Sequence, residues 1–354
     1  MITPVIAIII LNHNGGRDTV ECLESLSRSN YQNFQIVLVD NGSSDDSLEI
    51  IRSWCAQKQI GMTEQEYDKL NVGVTRENHD HRRNNSGGMA FPLLILKAKE
   101  NLGAAKGRNI GLRYIGNKKY LYIWLLDNDT VADCNALQAL ILEAQNNQKS
   151  GIVGSQLYDY DSPENVQNFS RDNIWLGKSL IPTKLSKNNV LYRQCLKVEW
   201  FWGSSLLVKR ECLKEIGLFD EQYFFGTEDR DLCIRALKKG WEIVRGYGSR
   251  VWHKWGAKKN LRKKSHIFGR YSYRERSFRS GYYGLRGEIY FVKKNFSKYQ
   301  LFYCCNYLLL RIIRQIIGII LFDTNKIARV NLTLKAVYHA FLNKMGKHEH
   351  PLLG

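Results

Sequence analysis

The chain has 354 residues, of which 44% are hydrophobic and 24% charged, a balance that supports a sizeable buried core and excludes a largely disordered protein. Its net charge of +18 is unevenly placed: from Lys254 onward there are 21 Lys and Arg against 4 Asp and Glu, a net of +17, whereas the first 253 residues carry 31 against 30. A neutral body with a strongly basic end suggests that the C-terminal part faces an anionic surface, lipid or nucleic acid.

The opening MITPVIAIIILNHN has no basic leader and no cleavage site, and its short β-branched run reads as a first buried strand, from Val5 to Leu11. The eight scattered cysteines show no C-x-x-C pair or metal-finger spacing and read as reduced packing residues, so a cytosolic body is expected. A polar Asn-His-Asn-Gly-Gly turn follows the first strand, then a helical pattern from Asp18 to Leu26. Ile36 to Val39 is a second strand that stops at Asp40, and Asn-Gly-Ser-Ser-Asp-Asp turns into a helix from Leu48 to Trp54. Strand and helix alternating at this spacing predict a parallel α/β sheet, whose ligands bind beyond the carboxyl ends of the strands.

Residues 56–95 are polar and weakly periodic and read as an insertion. His79 and His81 within it, with no matching Cys or His, read as solvated loop residues. Asn101 to Gly111 then opens a helix with small residues, which would let a phosphate or sugar approach backbone N–H groups.

Tyr120 to Asp129 is the most informative stretch. Seven apolar residues in succession suit a central strand covered on both faces, and an extended chain would point Asp127 and Asp129 the same way. Two carboxylates at a strand end suit Mg²⁺ or Mn²⁺ bridging to the phosphates of a substrate; an Asp-rich turn or helix cap is the alternative. From Val198 the pattern is strand, helix, loop, helix, with Glu228, Asp229 and Asp231 at the start of the last helix, where acids favour the macrodipole. Three acids after an aromatic Tyr-Phe-Phe-Gly loop also suggest a carboxylate presented to a substrate. His253 closes the body and, taken alone, reads as a packed or surface histidine.

In order, Asn12 to Asn14, Val39-Asp-Asn-Gly-Ser43, Asn101-Leu-Gly103, Asp127-Asn-Asp129, Gly217-Leu-Phe-Asp-Glu221, Glu228-Asp-Arg-Asp231 and the late His253 resemble glycosyltransferase family 2, over essentially Val5 to Gly256. The subgroup it looks most like includes rhamnosyl- and galactofuranosyl-type transferases of cell-surface polysaccharides. The resemblance implies a GT-A, Rossmann-like fold with a mixed, mostly parallel sheet flanked by helices, a nucleotide-diphosphate sugar donor and an inverting reaction. Carried over residue by residue, Asn12, Asn14, Asp40, Asn41, Asn101, Gly103, Arg108 and Asp127 would face the donor, with Asp40 on the base or ribose. Asp127 and Asp129 would hold the metal with His253 as third ligand, and Trp202 and Gly203 would line the acceptor side. Asp229 would be the general base, with Glu228 its competitor. An acid apart from the metal has a role on chemical grounds too: the acceptor hydroxyl must lose a proton and the leaving diphosphate must be neutralised. His13 departs from the family, where an aromatic is common, and so bears on nucleotide-base specificity.

In the tail, Lys258 to Arg279 interleaves nine basic residues with Phe268, Tyr271, Tyr273 and Phe278, a pattern that also suits single-stranded nucleic acid. Leu301 to Phe322 then turns almost wholly apolar, with Tyr307, Arg311, Arg314, Gln315 and Gly318 on one narrow helical stripe. Such a helix points to lipid, and no nucleic-acid partner is expected. Two mid-helix arginines would each cost roughly 2.5 to 3.5 kcal/mol in a spanning helix. An in-plane helix with its arginines at headgroups and Leu308 to Leu310, Ile312, Ile316, Ile317 and Ile320 in the acyl region avoids that cost. Packing on the body, or a contact between copies in a homo-oligomer, is the structural alternative.

The expectation is a catalytic domain over 1–256, a basic membrane-associating region over 257–354, and a metal-dependent inverting transferase. It would extend a lipid-linked or cell-surface glycan at the cytoplasmic face of an anionic membrane, as a peripheral or monotopic enzyme. The alternatives are a polyprenyl-phosphate glycosyltransferase and a non-catalytic GT-A scaffold acting as a membrane or nucleic-acid adaptor; retention of the acidic positions argues against the latter.

Overall fold

The computed structural model describes residues 4–67, 93–116, 120–167, 198–254 and 277–353, with the short pieces 172–173, 178–179, 265–267 and 271–273. In chain order the elements are β1 (Ile6–Asn12), α1 (Gly16–Ser27), β2 (Phe34–Asp40), α2 (Ser47–Gln57), β3 (Met62–Glu66), β4 (Leu93–Lys97), α3 (Gly103–Ile115), β5 (Tyr122–Asp127), β6 (Thr130–Ala132), α4 (Ala136–Asn146) and β7 (Ser150–Asp159). The two-residue strands β8 (Asp172–Asn173) and β9 (Lys178–Ser179) come next, then β10 (Ser205–Lys209), α5 (Arg210–Ile216), α6 (Glu228–Lys238) and β11 (Glu242–His253). The short β12 (Ser265–Ile267) and β13 (Tyr271–Tyr273) precede three helices, α7 (Phe278–Asn295), α8 (Lys298–Phe322) and α9 (Lys326–Phe341).

Nine strands form one sheet in the order β3-β4-β2-β1-β5-β10-β7-β11-β6. Its β3-to-β5 half is parallel, β10 runs antiparallel to both its neighbours, and β11 returns parallel to β7. The two-residue period of a strand sorts its apolar side chains into two layers. Ile6, Ile8 and Ile10 pack with α1, α2 and α4, whereas Ala7 and Ile9 pack with α3, α5 and α6. In register, Asn12 lies beside Asp40 and Leu11 beside Asp127, so the polar ends of β1, β2 and β5 share one sheet edge, where ligands of open α/β sheets bind.

The stretch 56–95, expected as an insertion, contributes two strands to this sheet: β4 pairs β2, and β3 pairs β4 at the edge. Short strands of Leu-Leu-Ile-Leu and of polar residues carry little periodicity, which is why the pattern was missed. His79 and His81 lie outside the described residues. Among the described residues Cys22, Cys55, Cys134, Cys212 and Cys233 are free thiols, in keeping with a packing role.

The apolar layer on the α3 side continues without a break into α7 and α9, where Tyr282, Leu285, Ile289, Phe291, Leu332, Ala336 and Ala340 join it. Asp231, fully buried on α6, fastens that junction. It accepts from Arg235 Nε at 2.8 Å, Tyr223 OH at 3.3 Å and Asn295 Nδ2 at 3.2 Å, and pairs with Lys294 Nζ at 2.8 Å. The third acid of the Glu-Asp-x-Asp motif therefore joins α6 to α7 and is not presented to a substrate.

Among the described residues no helix is long and apolar enough to cross a membrane. Most of the polar stripe of α8 turns inward: Arg311 pairs with Glu288 of α7, Gln315 Nε2 donates to Thr333 Oγ1 of α9 at 3.3 Å, and Gly318 is buried, whereas Arg314 stays exposed. The expectation that Arg311 reaches headgroups is thus corrected, because a buried acid on the neighbouring helix takes it. The apolar side faces outward, with Leu309, Leu310, Ile313, Ile317, Ile320 and Leu321 exposed, and α9 adds Ile327, Leu334, Tyr338 and Phe341.

Replacing Asp231 with Ala leaves a buried void and takes from Arg235 its carboxylate partner and from Lys294 one of two. Breaking a buried ion pair from one side costs about 3–5 kcal/mol. Urea unfolding of Asp231→Ala should show a loss of that order, and a loss under about 1 kcal/mol would mean that the α6–α7 junction does not depend on this carboxylate.

Candidate active site

At the carboxyl end of β1 and β2 the polar residues bind one another. Asn12 Nδ2 donates to Asp40 Oδ1 at 2.8 Å, and Ser43 donates to Asp40 from Oγ at 2.6 Å and from its backbone N at 3.1 Å. Asn12 Oδ1 accepts from Thr19 Oγ1 at 3.0 Å and from Asn128 Nδ2 at 3.1 Å. Asn41 donates to Asn101 Oδ1 and to Gly103 O, both at 3.2 Å, and accepts from Leu102 N at 3.0 Å. Asn12, Asp40 and Asn41 are buried; with Asn101 they knit three loops into one wall. Asn14, at φ 54, stands exposed at its rim. Gly103 has φ +84, and a Cβ there would meet Phe224 O at 2.4 Å, so this glycine admits the loop before α6. It does not open a phosphate cradle.

β5 ends at Asp127; Asn128 and Asp129 form the turn into β6. The two acids converge through this turn, a correction to the expectation that strand alternation aligns them. Because β6 pairs antiparallel with β11, with His253 opposite Thr130, the histidine arrives at the same corner. One ligand atom each from Asp127, Asp129 and His253 lies within 4.8 Å of the others, and His253 Nε2 is 3.3 Å from Asp129 Oδ1.

Gln167 holds that histidine from behind. Its Nε2 donates to His253 O at 3.0 Å, and its Oε1 lies 3.2 Å from His253 Nδ1. With Nδ1–H donated to Gln167, the Nε2 lone pair faces the two acids, the tautomer a metal ligand needs. Two carboxylates and one imidazole fit a hard or borderline divalent cation such as Mg²⁺ or Mn²⁺.

Arg108, buried on α3, joins this corner to α6: Nη2 donates to Asp127 Oδ1 at 2.6 Å and Nη1 to Glu228 Oε1 at 2.9 Å. The sequence places Arg108 on the donor; the structure gives it two carboxylates to hold. Asp229 Oδ2 accepts from Gly203 N at 2.8 Å and its Oδ1 from Arg230 N at 2.7 Å. A Cβ on Gly203 would lie 3.2 Å from Asp229 Cβ and 3.3 Å from Arg108 Nη2, so glycine is what lets this backbone approach the acid. Trp202 beside it is part-exposed and meets Trp200 edge-to-face at 4.9 Å. Burial first, then the neighbouring Asp229 charge, push the Glu228 carboxyl above the ordinary range, and burial does the same to Asp229 against its two backbone hydrogen bonds.

Asp127, Asp129, His253, Arg108, Glu228, Asp229, Gly203 and Trp202 therefore form one assembly, bounded by the Asn12-Asp40-Asn41-Asn101 wall. Sequence reasoning missed Asn128, which ties the acidic turn to Asn12 and Thr19, although it stands inside the Asp-Asn-Asp signal. It also missed Gln167, for which no local signal exists.

The family model described as "Glycosyltransferase like family 2" matches residues 4–268. Glycosyltransferase GlyG of Streptococcus pneumoniae is 25% identical over 219 residues, 60% of this chain and 59% of GlyG, so the match spans less than two thirds of that relative. The N-acetylglucosaminyl-diphospho-decaprenol L-rhamnosyltransferase of Mycobacterium tuberculosis is 24% identical over 71% of this chain and 76% of its own. Among solved structures, mannosyltransferase PcManGT from Pyrobaculum calidifontis in complex with GDP-Man and Mn²⁺ superposes with a TM-score of 0.53 at 14% identity, covering 99% of this chain and 78% of that one. GalNAc-T7 with UDP, GalNAc and Mn²⁺ gives 0.52 at 14% identity, covering 94% and 54%. These two likenesses show the GT-A fold.

Removing the outer partner of a metal-ligating histidine typically lowers metal affinity about 10- to 100-fold. Calorimetric titration with Mn²⁺ should show a loss of that size for Gln167→Leu and no measurable binding for Asp129→Asn. Affinities within about twofold of the parent in both variants would remove the cluster as a metal centre.

Proposed function

The chain belongs to glycosyltransferase family 2, and on that premise we propose that it transfers a sugar, with inversion, from a nucleotide-diphosphate donor to a hydroxyl of a glycan or lipid-linked acceptor. The observation that carries this reading is the unbroken run of contacts from Asp127, Asp129 and His253 through Arg108 to Glu228, Asp229, Gly203 and Trp202. One end suits a donor diphosphate and the other an acceptor. The solved relatives with GDP-Man or UDP and Mn²⁺, and the relative whose name specifies a decaprenol-diphosphate acceptor, support the same classes of substrate.

Asp127, Asp129 and His253 would hold the divalent cation, which when bound neutralises charge on the leaving diphosphate. Asp229 takes the proton of the acceptor hydroxyl as that oxygen bonds to the anomeric carbon and the bond to the diphosphate oxygen breaks, the electron pair leaving with the diphosphate. Asp229 suits this role better than Glu228 because its partner Gly203 belongs to the Trp202 loop, whereas Glu228 is tied to Arg108 and so to the donor side. Trp202 offers a part-exposed ring against which a sugar face packs.

The enzyme would act at the cytoplasmic face of an anionic membrane. The outward apolar residues of α8 and α9 form a surface that a bilayer's acyl boundary covers, and Lys326 beside them supplies a cation for headgroups.

Asp229→Asn should bind nucleoside diphosphate and Mn²⁺ as the parent does yet lose about 10²- to 10⁴-fold in transfer rate, the range for loss of a general base. If Glu228→Gln shows this pattern and Asp229→Asn does not, the base moves by one residue. A base must be ionised, and burial raises the Asp229 pKa, so the rate should climb with rising pH through a limb above the ordinary carboxylate range. A flat profile from about pH 5 upward would contradict it.

Sedimentation with phosphatidylglycerol-containing vesicles tests the membrane surface. Ile317→Asp with Leu321→Asp should abolish co-sedimentation while nucleotide affinity is kept. A parent protein that stays in the supernatant would overturn the membrane reading.

A further inference from the structure

Where the sequence offers the start of α3 as a phosphate cradle, its opening N–H groups already have acceptors. Leu102 N donates to Asn41 Oδ1, Gly103 N to Asn101 Oδ1 at 2.9 Å, and Ala104 N to Phe224 O at 2.8 Å. Three of the buried or half-buried cations around the site are also engaged: Arg108 holds Asp127 and Glu228, Arg230 faces Glu288 at 3.9 Å, and Lys254 Nζ holds Asp18 at 2.6 Å. A nucleoside diphosphate carries charge on both phosphates, so a site for it needs a donor that is still open.

Arg279 has that property. It lies in the first turn of α7, beyond the residues the family model matches. Its guanidinium stands over the rings of Phe224 at 5.4 Å and Phe225 at 5.3 Å. Its Nε is buried without a hydrogen-bond partner, and among the described residues no carboxylate pairs with it. Phe224 is the residue whose carbonyl closes α3 and whose ring occupies the space beside Gly103, so Arg279 stands directly behind the donor wall. From there its charge reaches His13 in the turn after β1, whose imidazole is held below its ordinary range by burial and then by Arg279; His13 Nδ1 is likewise buried without a partner. A guanidinium standing over two rings still carries N–H donors and no acceptor, and the strongest partner for those donors is a charged oxygen.

We propose that Arg279 is a donor-binding residue that donates from α7 to a phosphate oxygen of the nucleotide-diphosphate sugar. The inference rests on the glycosyltransferase reading and adds to it a residue from the C-terminal helices, so that the donor pocket is incomplete without α7.

The test is calorimetry of the full chain with UDP, GDP, ADP, CDP and dTDP in the presence of Mn²⁺, followed by the best of the five, its monophosphate and its nucleoside against Arg279→Gln and Arg279→Lys. Loss of a charge-assisted hydrogen bond corresponds to a loss of roughly 10- to 100-fold. The diphosphate should weaken by that factor in Arg279→Gln and by less in Arg279→Lys, with the nucleoside unchanged within about twofold, which also certifies the fold of the variant. Equal weakening of nucleoside and diphosphate would place Arg279 on the base and overturn the assignment, as would an unchanged diphosphate affinity. A parent chain that binds none of the five would overturn the glycosyltransferase reading together with this one.

Discussion

The site depends on one buried cation. Arg108 is almost fully enclosed, and a guanidinium in that position is tolerable only when paired. Its two partners come from the end of β5 and from the first residue of α6, 120 positions from Arg108 itself. Without it, Asp127, Glu228 and Asp229 would be three carboxylates sharing one poorly hydrated space, and the fold would have to protonate or separate them. The arginine gets there because Gly107 beside it has no side chain: a Cβ would stand 2.5 Å from Leu11 Cδ1, so α3 can lie hard against β1. Gly203 is also close on the opposite side, where a Cβ would stand 3.2 Å from Asp229 Cβ. Two glycines and one arginine thus fix the separation between the strand-end acids and the helix-start acids.

Helix α7 is the second constraint. Its Lys294 and Asn295 hold Asp231 at the beginning of α6, while its Glu288 faces both Arg230, adjacent to Asp229, and Arg311 of α8. The helix that carries Glu228 and Asp229 and the helix that presents the outward apolar face are therefore tied to the same intermediate element. Since the core runs continuously into α7, the neutral and the basic parts of the chain differ in charge without being separate in packing.

Much of this was legible because it is written in local pattern. The β1, β2 and β5 strands follow from uninterrupted apolar runs, and the acids at their ends follow from the abrupt change of polarity after them. The convergence of Asp127, Asp129 and His253 was read in outline, with the turn at Asn128 replacing the assumed strand alternation. What was not legible depends on distant partners. Asp231 looks like its neighbours in the motif, and only Lys294 and Asn295 show that it belongs to the packing of α7. Gln167 lies in a stretch with no periodicity, and its role exists only because β7 and β11 run side by side. Asn101 and Gly103 were read as open to a phosphate because a sequence cannot show that Asn41 and Phe224 already fill those positions.

The tail shows why a helical wheel fixes amphipathicity but not direction. Tyr307, Arg311, Arg314, Gln315 and Gly318 form a polar stripe in either environment, and headgroups were the expected destination of its arginines; Glu288 and Thr333 take Arg311 and Gln315 inward, while Arg314 stays exposed. With most of the stripe facing the protein, the apolar side faces outward, and Ile327 at 80% and Phe341 at 63% exposure add apolar surface on the next helix. Each large aliphatic side chain left in water forgoes about 1.5–3 kcal/mol relative to burial, and a large exposed apolar face marks a site of contact with a membrane or another protein. On the membrane reading proposed above, that contact is with the acyl boundary of the bilayer. On that same reading, seating α8 on lipid would bear on Glu288 through Arg311, and through Glu288 on Arg230 beside Asp229.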